Sequence, residues 1–563
     1  MPAPGTEKTA GQDAAGAKTA AADTAGAPRV GLSLSRDQRD YVRREVIRRT
    51  LEDQKRIWGR SGDRSLEVAI NDAVYQEQER LRKEKPGRET REQLAFWSKV
   101  AGQFHRVSET EREEILARIV DMYVNEIMGY FNPVIHSLAA RIIPWGLKAI
   151  LSKVSPASFL RWMGDRLNLE ENLTISGPVE EIRALAGKAT LLMTPTHVSN
   201  MDSVVIGIGL YSKRLPPFTY GAGLNLFSNP VVAFFMNNLG AYKVDRRKKN
   251  GIYKAALKQY ATLSMEMGQH NLFFPGGTRS RSGEVEQHLK LGLLGCGVNV
   301  YVSNLLAEKP NPDLFVIPCT LSYGLVLEAR SLIDDHLKET GKSRYIRIRK
   351  EGSGLRAFNF WRNLKSMDSR IHLHFGQPLD LFGNKVDKDG VSRDSHGRPV
   401  DRRKYVEKDG KPHQSPQRDQ EYTRELGRSI QASFRQGNVV LTTHLTAFAV
   451  FECLRRRHPN YDLYRLLRTE GPDHGTDAAA AVAEIAVLQG RLKEAEDRGL
   501  LKLAPDTRAL APREIFDKAV AHFASFHDGE VIEVKGDCVF TQNMKLLYYY
   551  RNRLDHYGLD AAR

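Results

Sequence analysis

From about residue 175 the sequence alternates short apolar runs with helical patterns: TLLMT (190–194), the helical DSVVIGIGL, AYKV (241–244), the helical IYKAALKQYATLSMEMG, NLFF (271–274), and later FVIPCTLSY and IHLHFGQPL. Strands interleaved with helices in this way predict an α/β domain, a mostly parallel sheet flanked by helices, over residues 171–382. Residues 383–420 are polar and rich in Gly, Asp and Lys, and read as a long surface loop or linker. Helical patterns resume over 421–563, and no internal repeat is apparent.

Ahead of the α/β segment the chain is different. Residues 34–125 are highly charged at helical spacing, as in REVIRRTLEDQKRIW, so 34–170 is expected to be a helical N-terminal region. Its last part, 127–163, mixes apolar residues with Arg141, Lys148 and Lys153, a composition that suits either an interfacial amphipathic helix or one packed on the neighbouring core. Residues 1–33 are Ala/Gly/Thr-rich, carry no apolar run of the kind a leader has, and read as a disordered tail.

In a parallel sheet, ligands sit beyond the carboxyl ends of the strands. Three such ends here carry chemistry. TLLMT runs into PTHVSNMD, with four residues between His197 and Asp202. The carboxylate can hold one imidazole nitrogen and leave the other to take a proton from a hydroxyl, an orienter and a base without a protein nucleophile. Asp202 also stands where it could cap the following helix; the bland alternative is that cap beside an incidental histidine. AYKV runs into Asp245, Arg246, Arg247, Lys248 and Lys249; Arg246 is a candidate anion ligand, while Lys248 and Lys249 read better as a solvated basic loop. NLFF runs into PGGTRSRSG. There the glycines let backbone approach a ligand, and Arg279 and Arg281 can offer forked donors to phosphate oxygens. The alternative is a glycine turn with two solvated arginines. A base beside a phosphate cradle describes deprotonation of a hydroxyl on a small phosphorylated molecule.

The formal charge of +16, from 84 Lys+Arg against 68 Asp+Glu, suits an anionic membrane surface, an acidic substrate or nucleic acid. The sequence has no recognisable nucleic-acid motif, so no nucleic-acid partner is expected. The four cysteines, Cys296, Cys319, Cys453 and Cys538, are isolated, reading as reduced core residues and not as a zinc site or disulfide frame. No run of 18 strongly apolar residues occurs. Leu215–Tyr242 is uncharged but broken by prolines and asparagines, better suited to lying on a membrane or lining a groove than to spanning.

The ordered set HVSNMD, GAYKVDR, FFPGGTRSRSG and VIPCTLSY resembles the four motifs of the glycerolipid acyltransferase superfamily. GAGLNLFSNPVVAFFMNNLGAY, NVVLTTHLTAFAVF (438–451) and LLYYYRNRLDHYG (546–558) resemble segments of the long glycerol-3-phosphate and dihydroxyacetone-phosphate acyltransferases. The resemblance covers roughly residues 130–563. It implies that His197 is the general base and Asp202 its partner, and that Arg246, Arg279 and Arg281 hold the glycerol phosphate around Gly277 and Ser280. Pro318 would help form the acyl-donor side. It further implies transfer of a fatty acyl group from acyl-CoA or acyl-carrier protein to the sn-1 hydroxyl of glycerol 3-phosphate. No metal or cofactor is implied beyond the acyl thioester co-substrate. The enzyme would sit peripherally on the cytoplasmic face of the inner or cell membrane. One departure stands out: the family usually has glutamate where this chain has Gly276, which leaves a lysophosphatidate or other lysolipid acceptor open. The alternative of another class is a non-catalytic membrane-binding protein with the same fold.

Overall fold

The computed structural model describes residues 31–59, 66–84, 87–105, 107–139, 173–227, 230–340, 371–527 and 530–559. Seven strands form the central sheet: β1 (Leu173–Ser176), β2 (Thr190–Pro195), β3 (Thr219–Gly223), β4 (Ala241–Val244), β5 (Asn271–Leu272), β6 (Leu314–Tyr323) and β7 (Ile371–Phe375), in the order β1-β7-β6-β2-β5-β3-β4. β6, β2, β5, β3 and β4 run parallel; β7 pairs antiparallel with β6 and parallel with β1. The expected mostly parallel sheet is therefore present, with a reversed two-strand edge. Every residue of β2 and β6 is buried, which is why these two strands read as unbroken apolar runs.

The weakest sequence signals were β1 and β3. β3 lies within the uncharged 215–242 segment, which folds as a strand, a 3-10 turn at Leu224–Phe227 and the helix Pro230–Asn238. That run therefore contributes an inner strand of the sheet. Its glycines and prolines had masked it. The interfacial reading of 127–163 falls largely on residues 140–163, outside the described ones, and so does most of the expected tail. Among the described residues no helix is long and apolar enough to cross a membrane.

Four N-terminal helices, Arg36–Gly59, Leu66–Arg82, Arg88–Gln103 and Glu109–Ile127, build a core around Trp97, Ile119 and Tyr123. Ile252, Tyr253, Tyr260 and Leu263 of the helix Gly251–Glu266 close it. At the other end, the helices Thr442–Arg457, Ala478–Asp497, Pro512–His527 and Met544–Arg551 share one continuous core with the sheet. Phe448, Phe451, Phe523 and Tyr550 are buried in the same cluster as Leu191, Ile317 and Leu373. The segment 383–420 is not a structureless linker. It folds into short antiparallel pairs at 385–400 and 407–412, and the helix Pro416–Gln436 begins inside it. Aspartates make its turns: Asp387 accepts from the amides of Asp389 and Val391, and Asp394 from those of His396 and Arg398.

Candidate active site

The site stands at the carboxyl end of β2. Beyond Pro195 the Thr196 amide still donates to the Cys319 carbonyl, 2.9 Å away, and the chain then leaves the sheet at His197. The helix Asp202–Ser212 starts five residues on, and Asp202 is its first residue with Met201 as cap, so Asp202 does not cap it. Its carboxylate turns back instead. Oδ2 accepts from the amides of Val198 (2.7 Å) and Ser199 (3.0 Å) and lies 2.7 Å from Nδ1 of His197. Oδ1 accepts from the hydroxyl of Tyr323 at 2.7 Å. Asp202 is wholly buried, so four donors share the stabilisation of one carboxylate away from water. Burial first, and Asp202 second, hold the Tyr323 phenol well above its ordinary pKa, which keeps it a donor. The His197 ring stacks on Phe274 with centroids 4.2 Å apart, while its side chain keeps some exposure. With Nδ1 committed to Asp202, Nε2 is the nitrogen available to a substrate.

The arginine loop is fastened to this dyad through backbone. The Ser280 amide donates to the His197 carbonyl at 2.7 Å, and the Ser280 hydroxyl donates to the Glu284 carbonyl at 2.8 Å. Gly277 adopts φ +73°, in the left-handed region, and a Cβ there would meet the Lys290 side chain. Arg279 lies within 3.2 Å of Glu328, which also accepts from the Ser199 hydroxyl (3.0 Å) and the Asn200 amide (3.1 Å). Glu328 thereby ties the arginine loop to the histidine loop. Arg246 comes from the end of the edge strand β4. Burial first, and the charge of Arg279 second, lower its pKa, so the two guanidiniums feel each other. Among the described residues no carboxylate pairs with Arg246. Arg246 as a whole is exposed, so an unmatched guanidinium beside Arg279 stands open to an anion.

Other expected residues are placed differently. Arg281 is paired with Glu339 of the helix Ala329–Glu339, as Arg279 is with Glu328. Pro318 is buried in β6 opposite Thr194, where its carbonyl accepts from the Gly376 amide at 2.8 Å, so it belongs to the floor of the sheet. Lys248 is not solvated: it is buried, ion-paired with Glu126 and set over the rings of Tyr123 and Tyr253. Lys249 is exposed, as the basic-loop reading has it. Three of the four cysteines are buried and all are free.

Glu286 and the C-terminal clamp were not found from sequence. Glu286 Oε1 accepts from the His197 amide at 2.6 Å, and Oε2 is shut off from solvent although the residue as a whole retains some exposure. Burial pushes its carboxyl up to about 8, with the nearby Asp202 adding to the rise and the His197 amide opposing it. From the far end of the chain, Asn552 donates to the Ser282 carbonyl (2.9 Å) and the Tyr550 hydroxyl accepts from the Val326 amide (3.1 Å). Buried Arg553 bonds Asn438 Oδ1 at 2.6 Å and the Leu321 carbonyl at 2.7 Å. LLYYYRNRLDHYG thus braces the back of the arginine loop; its run of tyrosines was the available signal. Beside the dyad, a largely apolar cavity of about 480 Å³ runs along the helix Asp202–Ser212, lined among others by Val204, Gly207, Ile208, Phe218, Tyr220 and Leu272.

Residues 176–322, which carry the dyad, both loops and β6, match a family model described as Acyltransferase. The stretch that carries the site is accordingly similar to the acyltransferases, the class the four motifs resemble. Within it the chain is similar to glycerol-3-phosphate acyltransferases. That of Pseudomonas putida is 28% identical over 206 residues, 36% of this chain and 23% of the relative; that of Aeromonas hydrophila is 27% identical over 255 residues, 45% and 28%. That of Xanthomonas axonopodis pv. citri is 24% identical over 379 residues, 67% of this chain and 37% of the relative. The chain matches only 23–37% of the length of these three curated relatives.

Proposed function

We propose that this protein transfers a fatty acyl group from a thioester of coenzyme A or acyl-carrier protein to the sn-1 hydroxyl of glycerol 3-phosphate. The observation that carries the reading is the His197–Asp202 dyad, with Nδ1 and Oδ2 2.7 Å apart, set in loops that also present Arg246 and Arg279 without a matching anion for Arg246. The phosphate sits between the two guanidiniums, which brings a hydroxyl of the glycerol towards Nε2 of His197. The imidazole removes the hydroxyl proton as the oxygen attacks the thioester carbonyl. Asp202 steadies the imidazolium that forms. Collapse of the tetrahedral intermediate breaks the C–S bond, and the same proton goes to the departing thiolate. General-base help of this kind contributes roughly 10²–10⁴-fold. The acyl chain is given the apolar cavity of about 480 Å³ that begins one residue after Asp202. Access to such amphiphiles places the protein peripherally on a membrane surface, where its +16 formal charge meets anionic headgroups.

The test is acyl transfer from palmitoyl-CoA or palmitoyl-carrier protein to glycerol 3-phosphate, dihydroxyacetone phosphate and lysophosphatidate in parallel, with His197→Ala as control. Turnover on glycerol 3-phosphate that vanishes in the variant supports the reading. Turnover on lysophosphatidate alone replaces the acceptor, and silence with every pair returns the chain to the non-catalytic class.

A further inference from the structure

Gly276 sits between the two halves of the site and has no side chain to offer it. A Cβ built at this position would lie 2.6, 2.7 and 2.8 Å from Oε2, Cδ and Oε1 of Glu286. Those are distances no real Cβ shows, so the Glu286 carboxyl occupies the volume in which a residue 276 side chain would begin. It does so from ten positions further along the chain, past the arginines. It is also bonded there: Oε1 takes the His197 amide at 2.6 Å, and the Gly276 amide is close enough to favour the charged carboxylate. The same stretch is pinned at both ends, by the Lys290 amide donating to the Pro275 carbonyl at 2.7 Å and by the Ser280 amide donating to the His197 carbonyl. The His197 peptide is therefore gripped on both sides, by Ser280 at its oxygen and by Glu286 at its nitrogen.

We infer that Glu286 is a positioning residue for His197, and that a carboxyl brought to the same place from 276 would do the same work. The carboxyl beside the His197 amide comes from 286, and glycine at 276 leaves room for it. The absence of glutamate from FFPGGTRSRSG then removes no carboxyl from the site, and acceptor choice need not be relaxed on that account. Glu286 acts through the backbone that carries the imidazole, so losing it alters the placement of Nε2 relative to the acceptor oxygen. Misplacing Nε2 falls chiefly on the step in which it takes the acceptor's proton.

The kinetic part of this inference rests on the acyl-transfer reading; its structural part does not. The experiment compares wild type, Glu286→Ala, Glu286→Gln, Gly276→Glu, Gly276→Asp and the doubles Gly276→Glu/Glu286→Ala and Gly276→Asp/Glu286→Ala, by thermal unfolding and by steady-state kinetics. Glu286→Gln, whose amide oxygen still accepts from His197, should stay within a few-fold of wild type. Glu286→Ala should lose about 10–100-fold in kcat/KM for the acceptor, with the KM for the acyl donor unchanged. Either single substitution at 276 should lower the melting temperature, because two acidic groups then claim one space. At least one double should be both more stable and more active than its two parent singles; Asp and Glu are both tried because they place the carboxyl one bond apart. If neither double exceeds Glu286→Ala in activity while remaining folded, or if Glu286→Ala retains wild-type kinetics, the inference is overturned. If wild type transfers no acyl group at all, the functional reading has failed instead. The stability coupling between 276 and 286 then decides the structural part, and additive singles would overturn it.

Discussion

The Ser280 amide donates to the carbonyl of His197 at 2.7 Å, so the loop that carries Arg279 is fastened to the very peptide that carries the imidazole. In the proposed reaction, acceptor binding and proton removal are thereby built on one piece of backbone.

The dyad gives the sharpest prediction. Asp202→Asn keeps an oxygen for the amides of Val198 and Ser199, so the loop retains its shape. The same oxygen still accepts from Nδ1–H, but the NH₂ then stands at the place of Oδ1 facing the Tyr323 hydroxyl, and the imidazolium is left without a counter-charge. Activity should fall by roughly 10³–10⁴-fold with little change in the KM of either substrate. Steady-state kinetics on folded variant protein, monitored by circular dichroism, will check it.

Tyr323 should matter to a smaller degree. Its hydroxyl is a buried donor to Asp202 Oδ1, at 2.7 Å, on a strand whose other residues are buried too. Tyr323→Phe removes one hydrogen bond to a buried charge and should cost about 1.5–3 kcal/mol of stability. The carboxylate keeps its amides, so turnover should fall only about tenfold. A denaturant titration alongside the acyl-transfer assay separates the two effects; unchanged stability would mean that the Tyr323 hydroxyl does not reach Asp202 in solution.

How much of this was legible beforehand follows from how each element announces itself. β2 and β6 were read at nearly their observed bounds, because buried parallel strands must be apolar on both faces. His197, Asp202, Arg246 and Arg279 follow strand ends, and a parallel sheet sends such ends to one side; sequence alone could therefore bring them together. Glu286 follows no strand and lies in no recognisable pattern. Its role depends on a carboxyl folding back over a glycine, a contact across ten residues of loop that no periodicity encodes. The partner of Arg281 was hidden for a related reason. Spacing placed Arg281 beside Arg279, but Glu339, nearly sixty residues away, takes its charge. Asp202 looked like a helix cap because its neighbours are right for one; its bonds go to the dyad loop instead.

The anion site predicts a split between substrates. Arg246→Ala should raise the KM for glycerol 3-phosphate by about 10–100-fold, since a charge-assisted bond to phosphate is worth about 1.5–3 kcal/mol. It should leave the KM for palmitoyl-CoA alone. Arg279→Ala should do the same and should also loosen Glu328, which holds the Ser199–Asn200 turn, so its kcat falls as well. Equal effects on donor and acceptor would place the arginines elsewhere in the reaction.

Acid should destabilise the fold through its buried histidines. Burial lowers His374 to about 4, and His444 and His527 to about 3, each with a nearby cation adding to the shift. Between those values and the ordinary 6.5, the unfolded chain binds protons that the native chain refuses. Stability is therefore fully present above about pH 6.5 and declines steadily as pH falls below it. Glu286 works in the opposite sense. Its carboxyl, raised to about 8, makes the native state bind the extra proton from the ordinary carboxylate range up to that value, so its contribution falls as pH rises through that window. Melting temperatures from pH 4 to 9 should pass through a maximum, and in Glu286→Gln the decline on the alkaline side should be shallower.

The apolar cavity predicts control of chain length. Gly207 lies on the helix Asp202–Ser212, lines the cavity, and has no atom within 4 Å of where a Cβ would stand. Gly207→Leu can therefore project into the cavity without forcing the backbone. Replacing glycine inside a helix should also stabilise it by up to about 1 kcal/mol, so any lost activity cannot be ascribed to unfolding. If the acyl chain lies along this helix, the variant should lose palmitoyl transfer at least tenfold and keep octanoyl or decanoyl transfer. Competition between acyl-CoA species of different length, with products resolved by mass, reads the shift directly. An unchanged length profile would remove the chain from this cavity and leave the dyad assignment intact.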